Sequence, residues 1–198
     1  MTWPTTGAQQ AAPLILNSPP DSDEALAGQA ALDPQIFGEL YQRHAQRVYR
    51  YHLARTGSVV DAQDLTAQTF LDALEGIRRY RGAGSFGAWL FGIARNKVAL
   101  YYRSRRAEAP LEAAETAADP APLPEATAGR RLEMAAVSRA LRSLVPERAE
   151  AIELCLFADL TAGEAARVMG KTEAAVKMLV MRGLRDLRTR LGETLEVE

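Results

Sequence analysis

The chain has 198 residues, 47% of them apolar, with one cysteine, two histidines and a formal net charge of −1. That length allows one or two small domains around a packed core. One cysteine excludes an intrachain disulfide and a cysteine metal cluster, and there is no apolar run long enough for a membrane span. The small net charge hides an uneven distribution. Residues 1–33 carry four acids and no base, and residues 107–128 carry five acids and no base. Residues 34–106 carry 12 bases against 5 acids, a net of +7, and residues 129–198 carry 12 against 11. A basic block of this kind suits a polyanionic partner. The N-terminus lacks a charged segment followed by a long apolar one, so it does not read as a secretory signal and the expected location is cytoplasmic.

In chain order, residues 1–33 are rich in Ala, Pro, Gln, Ser and Asp, with Leu14, Ile15 and Leu16 as their apolar cluster. This composition reads as a disordered tail. Asp33-Pro34 then suggests a cap followed by proline at the first helical position. Helix one is expected over about 34–56, with Ile36, Leu40, Tyr41, Val48, Tyr51 and Leu53 as its buried stripe, and Gly57-Ser58 breaks it. Helix two is expected over about 59–80, with Leu65, Phe70, Leu74 and Ile77 inside. A basic loop, Arg81-Gly82-Ala83-Gly84, leads to Ser85 as the cap of helix three, which runs to about Arg106 with Phe86, Trp89, Leu90, Ile93, Ala94 and Val98 inward. Residues 107–128 are low-complexity Ala, Pro and Glu, a linker between domains.

The second domain, 129–198, opens with a helix over about 130–143, and Pro146 can start the next. Cys155 lies in the apolar run IELCLF and reads as a small core residue. Leu160 to Leu191 then has the outline of a helix-turn-helix. Thr161 and Glu164 have capping-box spacing, Gly170 supplies a turn and Thr172 can cap the following helix. Val176, Leu179, Val180, Leu184 and Leu187 give that helix an apolar face. No stretch alternates with a strand period for long, so the fold class is all-α, in two small helical domains joined by a flexible acidic linker.

Two constellations suggest chemistry. The end of helix three places Arg95, Asn96, Lys97, Arg103, Arg105 and Arg106 on one helix with Trp89, Phe91, Tyr101 and Tyr102. Cations neutralise phosphates, and aromatic faces stack on unpaired bases, worth about 1–3 kcal/mol per base. Phe86 and Ile93 at helical spacing make Trp89 a core residue first. In the second helix of the helix-turn-helix, Thr172, Glu173, Ala174, Lys177 and Met178 lie where side chains reach base edges. Arg182 and Arg185 are placed for phosphates. Nothing supports an enzyme: there is no glycine-rich phosphate loop, no nucleophile with a base and no metal-ligand spacing, and His44 and His52 have no acidic or cysteine cluster beside them.

These segments resemble bacterial RNA polymerase sigma factors of the extracytoplasmic-function type. FGELYQRHAQRVYRY and DAQDLTAQTFLDAL are similar to the start and middle of sigma region 2, a three-to-four-helix bundle. RYRGAGSFGAWLFGIARNKVALYYRSRR is similar to its melting and −10 part. LRSLVPERAEAIELCLFADLTAGEAARVMGKTEAAVKMLVMRGLRDLR is similar to region 4, a four-helix domain. The resemblance implies that Asp61, Asp64, Leu65, Gln68 and Phe70 dock on core polymerase, through its β′ subunit and with β as a second partner. It implies that Arg81, Ser85, Phe86, Arg95, Asn96, Lys97, Tyr101, Tyr102, Arg103, Arg105 and Arg106 bind and melt the −10 element. The −35 duplex would fall to Thr172, Glu173, Ala174, Lys177, Met178, Arg182 and Arg185. It implies promoter DNA and an anti-sigma factor as partners and no cofactor or metal. The chain departs from the family pattern at Gln63 and Gln68, where acids are usual, and at VKML (176–179), where VKSR is common. A helix-turn-helix regulator that acts without polymerase, and an interaction module that binds polymerase but initiates nothing, remain open readings at this point.

Overall fold

The computed structural model describes residues 22–82, 84–108 and 125–195. Among them are eight α-helices: α1 (Asp23–Ala30), α2 (Phe37–Thr56), α3 (Val59–Gly76), α4 (Phe86–Glu108), α5 (Glu125–Arg142), α6 (Pro146–Ile152), α7 (Ala162–Met169) and α8 (Glu173–Leu195). The described residues form no strand.

The expected tail is corrected from Ser22 onward. The Ser22 side chain caps α1 by accepting from the Ala25 N–H, and Ala27 and Ala30 are buried. From this helix Glu24 Oε1 accepts from the Phe86 N–H at 3.0 Å and satisfies an orphan donor at the start of α4. Leu14 to Leu16 lie outside the described residues. Asp33 caps as expected, accepting from Gln35, but Pro34–Ile36 is a 3-10 turn and α2 begins only at Phe37.

Leu40, Val48 and Tyr51 turn inward from α2, whereas Tyr41 is 47% exposed and meets the Phe70 ring edge-on. Gly57 ends α2 at φ +70, a left-handed conformation that suits glycine, with Ser138 of α5 close by. Ser58 caps α3 by accepting from Asp61, and Leu65, Phe70 and Ala73 are buried along it. Leu74, expected inside, is partly exposed, because the helix tightens into the 3-10 turn Ile77–Arg79 and buries Ile77 instead. Ser85 caps α4, accepting from Ala88.

The expected two-domain split does not leave two separate cores. Phe86, Leu90, Phe91 and Val98 of α4 pack in one cluster with Leu154, Leu160, Ala166, Met169 and Val176. A second, smaller cluster joins Ala54 of α2 to Leu141, Leu144, Ala149 and Ile152.

His52 lies within this packing. Thr69 donates its hydroxyl hydrogen to Leu65 O, so the His52 Nε2–H donates to Thr69 Oγ1 at 3.0 Å. Burial first, and Arg55 second, push the imidazole down from 6.5 to about 3. The unfolded chain therefore takes up the proton more readily than the folded one, and stability must fall as pH drops below the ordinary histidine value. Urea midpoints at pH 7 and pH 5 should show that loss in the native chain and a smaller one in His52→Gln. An equal loss in both would assign the acid sensitivity to other groups.

Candidate nucleic-acid interface

The outer face of α4 carries Arg95, Asn96, Leu100, Arg103 and Arg106, all exposed. Lys97 is half-buried and pairs with Asp72 at 2.7 Å. Tyr101 donates to Asp61 Oδ2 at 2.7 Å, and the Arg105 guanidinium lies over the Tyr101 ring 5.3 Å from its centroid. Tyr102 donates to the Arg55 carbonyl. Asp61 thus holds the tyrosine–arginine end of α4 against α3. Grooves of about 490 Å³ and 290 Å³ flank Lys97 and Leu100, the first lined by Gln68, Tyr101 and Arg103, the second by Arg79, Trp89 and Asn96. Arg81 is exposed at the loop before α4.

Three expected contact residues are core residues. Phe86 is fully buried, with His44, Tyr80 and Trp89 rings around it at 5.3–5.8 Å. It has no face free for a base in this arrangement. Leu65 and Phe70 are 4% and 5% exposed and attach α3 to the bundle. The face α3 presents outward consists of Val60, Gln63, Asp64, Ala67, Gln68 and Leu71. Val60 and Leu71 were missed; their spacing with Asp64 and Ala67 (60, 64, 67, 71) is the signal that finds them.

The helix-turn-helix is assembled as its sequence suggests. Thr161 and Glu164 form the reciprocal capping box, and Gly170 turns at φ +65. Thr172 Oγ1 accepts from Ala175 N–H and starts α8. Thr172, Glu173, Ala174, Lys177, Met178, Arg182 and Arg185 all face outward, and Lys177 pairs with Glu173 at 2.6 Å. Met181 and Leu184 are also exposed, the latter against expectation. Gly183 lets α8 lie against α6: a Cβ there would meet Ile152 Cδ1 at 2.7 Å.

The two halves meet along a polar seam. Arg47 donates to the carbonyls of Ala158 and Asp159, both at 2.9 Å. Arg50 pairs with the Asp159 carboxylate, and Arg95 with Glu150. Ser85 donates to Glu164 Oε1 at 2.6 Å. Burial alone would raise the Glu164 carboxyl, but bonds from Ser85 and Thr161 hold it below the usual carboxylate range. Arg55 reaches Glu153 at 2.6 Å. Burial pushes the Glu153 carboxyl up, and the Arg55 guanidinium opposes it. Cys155 is half-buried in the same turn. His44 Nδ1 accepts from Arg47, so its Nε2–H donates to Asp23 Oδ2 at 2.6 Å, and no group of metal-ligating side chains occurs among the described residues.

A basic aromatic helix thus stands beside a helix-turn-helix, and the sequence matches two regions of one protein family. Residues 40–108 match Sigma-70 region 2 and residues 134–187 match Sigma-70, region 4. The chain is 39% identical over 168 residues to the ECF RNA polymerase sigma factor BldN of Streptomyces coelicolor, covering 83% of this chain and 62% of that protein. It is 32% identical over 195 residues to the RNA polymerase sigma factor CnrH of Cupriavidus metallidurans, covering 91% and 98%. The solved structure of CnrH in complex with the cytosolic domain of CnrY superposes with a TM-score of 0.70 at 29% identity, covering 87% of this chain and 99% of that one. The chain belongs to the extracytoplasmic-function family of RNA polymerase sigma factors. No described helix is long and apolar enough to cross a membrane.

The seam yields a paired prediction. Glu153→Ala strands a largely buried guanidinium and should lower unfolding free energy by about 3 kcal/mol. The Tyr51 hydroxyl is fully buried with no hydrogen-bond partner, so Tyr51→Phe should hold or raise stability. Denaturant midpoints of both variants check the contrast.

Proposed function

We propose that this chain binds core RNA polymerase through the outer face of α3, captures the opened −10 strand with α4 and its preceding loop, and reads the −35 duplex with α8. It supplies no catalysis of its own and works in the cytoplasm. The observation that carries the reading is the outer row of α4, where Arg95, Asn96, Arg103 and Arg106 stand exposed beside Tyr101 and Tyr102. Cations in a row suit phosphates, and neighbouring aromatic rings suit unstacked bases. Arg95 and Ser85 are engaged by Glu150 and Glu164 in this arrangement. Promoter capture exchanges those carboxylates for phosphates, so the seam opens as DNA binds.

An anti-sigma factor is the expected antagonist. CnrH, a relative of similar length, was solved with the cytosolic domain of CnrY bound. The exposed apolar side chains Val60, Leu71 and Leu100 give such a partner apolar area on region 2.

Transcription reconstituted with bacterial core polymerase, with and without the chain, on a fragmented genomic library tests the proposal. Discrete start sites should appear only with the chain. Core binding without new start sites would leave an interaction module, and duplex binding without core binding an ordinary regulator. Within the reconstituted system, Arg103→Ala with Arg105→Ala should reduce promoter opening at least 10-fold while core affinity changes little. Equal losses in both assays would overturn that division of labour.

A further inference from the structure

The outward surface of α8 has an apolar centre with charged edges. At 100° per residue, Ala174, Met178, Met181 and Arg185 fall in one stripe along the middle of the exposed face. Met178 and Met181 are 41% and 53% exposed. Lys177 borders the stripe on one side and Arg182 on the other, both exposed, with Arg188 one turn beyond Arg185. An exposed apolar stripe edged by cations is matched by a surface that is apolar at its centre and anionic at its rims. The DNA major groove becomes that surface where thymine methyls project between two phosphate backbones.

The commonest alternative is poorly supplied. The usual contact to guanine is a guanidinium or ammonium aimed at the base edge. In the first two turns of α8 the one cation is Lys177, and it is paired with Glu173 at 2.6 Å at the stripe's edge. Leu179 is half-buried against the shared core and does not reach the outer face. The departure from the family pattern at VKML therefore acts through Met178, which does. Thr172 fixes the start of the helix by capping it, so Ala174 and Met178 occupy the turns that enter a groove first.

We propose that α8 reads its duplex element through thymine C5-methyl groups, contacted by Ala174, Met178 and Met181, while Arg182 and Arg185 anchor the flanking phosphates. The inference rests on α8 being the duplex-reading helix and adds the chemical group it reads. Met181 joins the reading set on this argument.

The test replaces thymine by deoxyuridine, which removes one methyl and leaves every hydrogen-bonding group in place. Once start sites have been mapped with the full chain and core polymerase, each thymine of the upstream element is replaced singly, on either strand. At one or more positions holoenzyme affinity should fall about 4-fold, the loss of one buried methyl. Met178→Ser or Met181→Ser should bind the native promoter more weakly and no longer distinguish thymine from uracil at the matching position. Uracil templates bound as tightly as thymine at every upstream position, by a holoenzyme that still starts transcription there, would overturn the thymine reading alone. Methionine variants that discriminate as the native chain does would assign the stripe to a protein partner and overturn it likewise. Absence of any start site would instead remove the sigma-factor proposal beneath it.

Discussion

The carboxylate of Glu153, 3% exposed, and the guanidinium of Arg55 are held together where the two halves of the chain meet. Withdrawing two charges from water costs several kcal/mol per ion, so each is tolerated only while the other is present. Local structure serves this pairing. After α6 the helix widens into a π-turn over Glu153–Phe157, with the Ala158 N–H bonded to Glu153 O at 3.0 Å. The extra residue redirects Glu153 toward α2. Asp159 then takes φ +50, unusual for a side chain larger than glycine. That turn brings the carbonyls of 158 and 159 to Arg47 together. The irregular segment after α6 is thus a receptor for the arginines of α2.

A seam of this composition is suited to changing partners. Its apolar part, around Phe86, Leu160 and Ala166, supplies area. Its rim is arginine to carboxylate and hydroxyl to carboxylate, in contacts that are partly exposed. In the promoter capture proposed above, an arginine leaving Glu150 or Asp159 would meet phosphates of similar charge and acceptor geometry and need not pass through an unpaired state in an apolar medium. Tyr51 OH, His52 Nδ1 and Arg55 Nε lie beside the seam without hydrogen-bond partners. Each orphan of this kind costs the folded chain about 1–3 kcal/mol.

Much of this was legible in the sequence where several local signals coincided. The helix-turn-helix has a capping box, a left-handed glycine and a second capping threonine within twelve residues, and each acts as its type suggests. α2, α3 and α4 followed from apolar spacing, from the Gly57-Ser58 break and from Ser85 at the start of α4; the Ser58 cap of α3 was not read. α1 was lost because its buried residues are Ala27 and Ala30, which bury too little surface to raise the periodic signal. The π-turn was lost because an i→i+5 register has no composition of its own. Phe86, Leu65 and Phe70 were assigned to partners although their spacing also marked them as core, and the core had the prior claim on large apolar side chains. Tyr41, Leu74 and Leu184 went the other way: counted with the inward stripes, they lie at the stripes' edges and stay exposed.

The packing of α8 leaves it able to serve both as a structural helix and as the reading helix proposed for it. Val176 and Gly183 face inward, and a Cβ at Gly183 would meet Ile152 Cδ1 at 2.7 Å and Arg148 Cβ at 3.3 Å, so the buried Ile152 side chain would have to shift. That close approach fixes the rotation of the helix about its own axis. With the rotation fixed, the outward set is fixed also: Ala174, Met178, Met181 and Arg185 must point away together. The inward packing and the outward chemistry are therefore one decision. A side chain introduced at Gly183 would turn the reading face as well as loosen the core, whereas a change at Met178 alters what is read and leaves the packing as it stands.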